Sequence, residues 1–295
     1  MSALTLADAV AAADALWPPD GAESWDASGL VTGRLDAPVE RIVLAVDPVR
    51  ATVDEALATR AQLLVTHHPL LLRGVTSIAE DRYKGALLGD LVRGGCALFA
   101  AHTTADVVDD GTSGVLARRL GLGGLAPIVP GARPDTGLGR IGELPEPIDL
   151  RTLAARLAAL LPVTVGGVRV AGDPDRPVRR IAVCGGAGDS LLDHPAVRAA
   201  DAYITADLRH HPASESAEQT ASAGRGPALL DVSHWASEHV WLDSTAAALR
   251  AALPGVAVTV SGTRTEPWTF SMGADSEPDR PVPGGRTAVP RKDDA

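Results

Sequence analysis

Three short clusters in the chain carry side chains able to ligate a metal ion. Thr66-His67-His68-Pro69 ends the apolar run AQLLVT, His102-Thr103-Thr104-Ala105-Asp106 follows CALFAA, and His234-Trp235-Ala236-Ser237-Glu238 follows ALLDVS. Adjacent imidazoles leaving a strand point to different sides, but where the chain turns at the strand end, with its exit set by Pro69, both can aim into one cleft. In the other two clusters imidazole and carboxylate stand four residues apart, which places them on one face wherever the chain winds helically. Singly, each cluster is ordinary. A His-His pair is as readily two exposed loop residues, and a histidine four residues from an acid arises by chance in many chains. Three such clusters at strand ends point instead to a divalent cation, and neutral imidazole with carboxylate suits Zn, Mn, Fe, Co or Ni.

The remaining candidates are weaker. His210-His211-Pro212 imitates 67–69 but comes three residues after Asp207, at an expected helix start, which favours a surface or supporting role over ligation. His194 and His239 have no patterned partner and read as surface residues. Gly185-Gly186-Ala187-Gly188-Asp189-Ser190 could turn backbone N–H groups toward an anion, yet it lacks the Lys-Ser/Thr of a phosphate loop and the third glycine of a dinucleotide fingerprint. Tight-turn glycine is the simpler reading. The chain has no Gly-x-Ser-x-Gly elbow and no catalytic Cys-His signature. Its two cysteines, Cys96 and Cys184, sit in apolar runs and read as reduced, buried thiols, since two cannot build a disulfide framework or a Cys-rich zinc site.

The elements that must position these residues follow an alternating pattern. Residues 41–47, 61–66 and 96–101 read as strands, separated by helices over 52–60 and 84–95 and by a loop of about fifteen residues after Pro69. After a Pro/Gly-rich stretch from Gly121 to Gly139 come a helix (149–161), strands (163–170 and 179–186), a helix near 191–200, and strands at 201–207, 228–233 and 256–262. Strand-helix-strand units predict mostly parallel sheets covered by helices, with ligands beyond the carboxyl ends of the strands, where the histidines stand. The blocks 41–68 and 180–211 share one order of elements, which suggests two related α/β lobes. Residues 273–295, with four prolines and few apolar side chains, read as a disordered tail.

Composition narrows the classes of function. With 295 residues, 45% hydrophobic and 22% charged, the chain can bury a large core. A net charge of −10 argues against non-specific binding to nucleic acid or to an anionic membrane surface. No run of about 18 apolar residues predicts a membrane span. The first residues, with Asp8 and Asp14 on a helical spacing and no basic leader, read as an amphipathic helix and not a signal peptide, so the cytoplasm is the expected compartment.

Trp25-Asp26-x-x-Gly29-Leu30, His67-His68-Pro69, His102-x-x-x-Asp106, Gly139-Arg140-Ile141-Gly142, Ile204-Thr205-x-Asp207 and His234-x-x-x-Glu238 occur in this order. The set resembles the GTP cyclohydrolase I type 2 homologs, also called the NIF-three-like family, from about residue 5 to Trp268. Ala27, Ala206 and Ser233 depart from the residues usual there. The resemblance implies two α/β lobes with a dinuclear metal site in the cleft between them: a first lobe over 1–130, a second over 131–268 and a tail over 269–295. It implies His67, His68, Asp106, His234 and Glu238 as ligands of two divalent ions, with Glu238 bridging, and His102 beside them as a supporting residue or catalytic proton donor. A ring-shaped homohexamer is implied as well. The activity expected is hydrolysis of a nucleotide-like or phosphorylated small molecule, the alternative being metal storage, metal delivery or a regulatory scaffold.

Overall fold

A computed structural model describes residues 4–272 of the chain. The tail predicted from residue 273 onward lies outside the described residues.

The first part of the chain runs α1 (Leu6–Leu16), β1 (Gly29–Thr32), β2 (Arg41–Ala45), α2 (Arg50–Ala58), β3 (Leu63–Thr66), α3 (Tyr83–Gly94), β4 (Ala97–Ala100), α4 (Thr103–Val107) and α5 (Thr112–Arg119). Thr5 starts α1 by accepting the backbone N–H of Asp8, whose carboxylate in turn accepts the backbone N–H of Thr5. There follow β5 (Gly123–Ala126), β6 (Val129–Pro130), β7 (Gly137–Leu138), β8 (Arg140–Asp149), α6 (Leu150–Leu160), β9 (Arg169–Ala171), β10 (Pro177–Ala187) and α7 (Pro195–Arg198). The chain continues through β11 (Ala202–Ala206), α8 (His210–Ala223), β12 (Ala228–Val232), α9 (His234–His239), α10 (Leu242–Ala252) and β13 (Ala257–Val260).

Two sheets organise the fold. The first has the order β1-β4-β3-β2-β13 and is parallel except for β1. The second has the order β5-β8-β10-β11-β12-β9, with a parallel centre β10-β11-β12 and antiparallel pairings outside it. On β2, Ile42 and Leu44 face the apolar cluster that reaches the second sheet, while Val43 and Ala45 face α2 and α3. Burial on both faces is why this strand is a continuous apolar run and not an alternating one.

Two expectations need correction. The chain does not divide linearly at residue 130: β13 pairs in parallel with β2, so the last strand returns to the first sheet, while β5, ahead of the expected boundary, pairs with β8 in the second. The return is driven by α10, whose Leu242, Ala246 and Leu249 are buried, and by Trp241, whose ring lies 5.4 Å from that of Trp17 at the end of α1. Residues 163–168 form no strand, because Gly167 turns the backbone with φ +54° and pairing begins only at Arg169. Conversely, β8 carries two prolines and three acids yet is a ten-residue strand. Pro145 and Pro147 fall where its register with β10 shifts, a place where a missing N–H is tolerated.

Candidate metal centre

The carboxyl ends of parallel strands set the site. Strands β2 and β3 pair Ala45 with Thr66, so Asp47 and His68, each two residues further on, emerge side by side. Strands β3 and β4 pair Thr66 with Ala100, which brings His67 and His102 out together, and α4 then carries Asp106 back toward them. From the other sheet, Ser233 caps α9 by accepting the N–H of Ala236, so His234 and Glu238 sit one turn apart with Nε2 2.9 Å from Oε1. The pairing of Ala206 with Val232 puts Asp207 beside this turn.

Glu238 is the hub, 3% exposed. Its Oε1 lies 3.3 Å from His67 Nε2 and its Oε2 lies 3.2 Å from His68 Nε2. Three imidazoles are held from behind by carboxylates at 2.7 Å: His68 Nδ1 by Asp47, His102 Nδ1 by Asp26, and His234 Nδ1 by Asp207. A carboxylate at Nδ1 keeps the proton there and leaves Nε2 as a lone pair facing inward, the arrangement that orients histidine ligands in metal sites. Thr112 donates its hydroxyl to Asp106 at 2.5 Å, and Asp106 stands 3.7 Å from His67 Nε2.

These atoms fit a cation better than they fit each other. The Nε2 atoms of His68 and His234 are 3.2 Å apart, and two nitrogens at about 2.0–2.1 Å from a tetrahedral ion lie about 3.3–3.4 Å apart. Both ring nitrogens of His67 and Oε2 of Glu238 are buried without a hydrogen-bond partner, a costly state that a bound cation relieves. Two groups of three ligating atoms result, each within 4.8 Å: His67, His68 and His102, and His68, His234 and Glu238. Gly186 closes against the second group. Its φ is +68°, and a Cβ there would lie 2.6 Å from Glu238 Oε1 and 3.2 Å from His234 Nε2.

Without an ion, the electrostatics fall on protons. Burial opposes charging His68 and His234, but the Glu238 carboxylate, with Asp47 behind the first and Asp207 behind the second, outweighs it and raises them to about 10 and about 11. Glu238 is fully buried, yet the surrounding imidazoles hold its carboxyl well below the usual range. His102 shifts the other way: burial and the neighbouring His67 lower it despite Asp26.

All six residues singled out from the sequence converge here, with differences in rank. His102 belongs to one of the tight groups, whereas Asp106 stands just outside both. His210 and His211 are exposed at the start of α8 with their rings against each other, and they join neither group. His194 caps α7, and His239 is half-buried against Trp235 and not on the open surface. The glycine turn is no anion cradle at its first two residues, since the N–H groups of Gly185 and Gly186 donate to Ser113 and Ser237. Cys96 and Cys184 are free and buried, and burial pushes both thiols up to about 12.

Sequence reasoning missed the roles of Asp26, Asp47, Asp207 and Arg140. Asp26, Arg140 and Asp207 stood in the motif set without a role, and a further signal existed at Asp47 and Asp207, which follow apolar runs as the histidines do. Arg140, 1% exposed, donates to the carbonyls of Gly137, Gly139, Val107 and Val108 and so fixes the chain just after Asp106.

A cavity of ≈ 680 Å³ opens onto His68 and His234. Trp268 stands in its wall, Asp47, Asp207, Asp231 and Glu266 line it, and its single arginine, Arg169, is paired with Asp231.

Comparison with known proteins agrees with this architecture. The family model described as Duf34/NIF3 (NGG1p interacting factor 3) matches residues 4–267. A Streptomyces coelicolor protein named GTP cyclohydrolase 1 type 2 homolog is 49% identical over 276 residues, covering 91% of this chain and 95% of its own. A Mycobacterium tuberculosis protein of the same name is 35% identical, covering 90% and 97%. Among solved structures, a Bacillus cereus protein related to NIF3 superposes with a TM-score of 0.81 at 22% identity, over 92% of this chain and 100% of that one. A Staphylococcus aureus hypothetical protein does so with the same score at 26% identity and the same coverage.

Proposed function

The chain belongs to the Duf34/NIF3 family, and on that footing we propose that it binds two divalent metal ions in the cleft between its sheets and hydrolyses a nucleotide-like or phosphorylated small molecule. The observation that carries the metal reading is the sharing of His68 between two groups of ligating atoms, with the buried Glu238 reaching imidazoles from both sheets. His67, His68, Asp106, His234 and Glu238 are the ligands in this reading, and His102 supports them or handles a proton from the adjoining side. Paired divalent ions supply Lewis acidity and lower the pKa of bound water. The protein's own part is orientation: Asp26, Asp47 and Asp207 fix three ring tautomers, Thr112 fixes Asp106, and the sheets exclude water from behind Glu238.

The same reading includes a ring-shaped homohexamer and a cytoplasmic setting. Exposed Trp25, Ile78 and Tyr83 offer apolar area for subunit contacts, and two free thiols accord with a reducing compartment. No helix among the described residues is long and apolar enough to cross a membrane.

A second reading is metal storage or delivery without turnover. It is favoured by the cavity wall, where Asp47, Asp207, Asp231 and Glu266 stand beside His68 and His234 and the one arginine is already paired, a lining rich in donors for a cation and without a free guanidinium for an anionic substrate. The deciding experiment sets protein of known metal content against a broad panel of nucleotides and phosphoesters, with metal transfer to an apo-acceptor followed in parallel. Turnover with retained metal supports the hydrolase. Ready transfer without turnover of any compound supports delivery and rejects the hydrolase.

A further inference from the structure

We propose that Thr265 is a positioning residue for the metal ligand His68, and that the segment carrying it, Ser261–Trp268, ties the ligands of the two lobes into one geometry; this rests on the metal-binding reading above. After β13 the chain leaves the first sheet and crosses the cleft. Ser261 and Thr263 anchor it by donating to the Glu55 carboxylate, Thr263 at 2.9 Å. Arg264 then reaches the carbonyl of Val163 at 3.3 Å.

The next two residues act on opposite sides. Thr265 donates its hydroxyl to Oδ2 of Asp47, whose Oδ1 holds His68 Nδ1 at 2.7 Å. Glu266 accepts from Ser233, and the same Ser233 oxygen accepts the N–H of Ala236 and starts the helix that presents His234 and Glu238. Neighbours in sequence thus serve a ligand from each sheet.

The arrangement leaves Thr265 a specific task. Asp47 divides its two oxygens between His68 and Thr265, so the hydroxyl is what stops the carboxylate from rotating about its terminal torsion, a broad and soft one. A freely turning Asp47 no longer fixes the His68 ring, and loss of such support to a ligand typically costs about 10–100-fold in metal affinity. Ser261 and Thr263 lie on the same segment but bond Glu55, away from the ligands, so the segment's anchoring and its action on the metal centre are separable.

The test uses the full-length chain and Zn2+, titrated in competition with a chromophoric chelator, with the Co2+ absorption spectrum as a readout of ligand geometry. Thr265→Val is expected to weaken the more loosely held ion by about 10–100-fold and to alter the Co2+ spectrum. Thr265→Ser is expected to restore both. Thr263→Val is expected to leave affinity within about twofold of wild type, since its hydroxyl meets only Glu55. Thr265→Ala serves for the same comparison should the valine variant fail to fold. Wild-type affinity in Thr265→Val, equal loss in Thr263→Val, or no rescue by serine each overturns the proposal. A wild-type chain that binds no Zn2+ overturns the metal reading itself, a distinct result.

Discussion

The Nε2 atoms of His68 and His234 face each other at 3.2 Å across the cleft, while Asp47 and Asp207 hold the two Nδ1 atoms at 2.7 Å. One imidazole comes from the end of the first sheet and the other from the end of the second. With both protons kept on Nδ1, two lone pairs meet, and the buried Glu238 adds a negative charge beside them. A metal ion satisfies the three together, and without one the two rings take up protons beside Glu238 instead.

Glu238 touches both groups of ligating atoms, so under the proposed two-metal reading its removal reaches both ions. Glu238→Ala is expected to lower bound metal from about two ions per chain toward one or none, while His210→Ala, on the exposed start of α8, leaves it unchanged. Elemental analysis of the purified variants measures this, and equal loss in the two would contradict the assignment of His210 to the surface.

The raised imidazoles give the metal-free protein a definite pH dependence. His68 and His234 lie at about 10 and about 11 in the fold, against 6.5 for an unperturbed ring. A folded-state value above the unfolded one means the folded chain binds the proton more tightly. The resulting stability is fully present below pH 6.5 and is lost as pH rises toward 10 and 11. Melting of the metal-free protein should therefore fall between about pH 7 and pH 10, and zinc binding in that window should release protons. Calorimetric melts and titration in weak buffer check both, and a metal-free melting temperature that climbs over this range would count against the site as described.

Arg140 is expected to matter although it bonds none of the ligating side chains. Its guanidinium donates to four carbonyls, including Val107 and Val108 just past Asp106. Arg140→Met removes these bonds and is expected to cost on the order of 3 kcal/mol, with weaker metal binding through a loosened Asp106. Lysine, which cannot reproduce the planar fork, should recover only part of the loss. Urea denaturation with metal titration reads both effects.

Gly186→Ala and Gly224→Ala form a matched pair. Both glycines have positive φ, +68° and +65°, so alanine costs each about 1–2 kcal/mol of backbone strain. Only at Gly186 does the added Cβ meet the site, 2.6 Å from Glu238 Oε1; at Gly224 nothing lies within 4 Å. Backbone strain common to both, with a further loss of stability and a loss of metal confined to Gly186→Ala, is the expected outcome, read from melts and metal content.

The sequence by itself determined the strands that end in histidine and the local turns that pair His102 with Asp106 and His234 with Glu238, because a β run and a single helical turn are set by residues within a few positions of one another. The clusters at 67–68, 102–106 and 234–238 were legible for that reason, while the choice of ligands among them was implied by the family resemblance. The residues that hold them were not: Asp47 meets His68 through the parallel register of β2 on β3, Asp207 meets His234 through that of β11 on β12, and Asp26 reaches His102 across 76 positions. The return of β13 to the first sheet was equally hidden, since an apolar strand carries no mark of which neighbour it joins. Tertiary structure decided these because register and sheet order come from burying whole faces against distant partners, and that packing alone turned separate histidine motifs into two groups of atoms sharing His68.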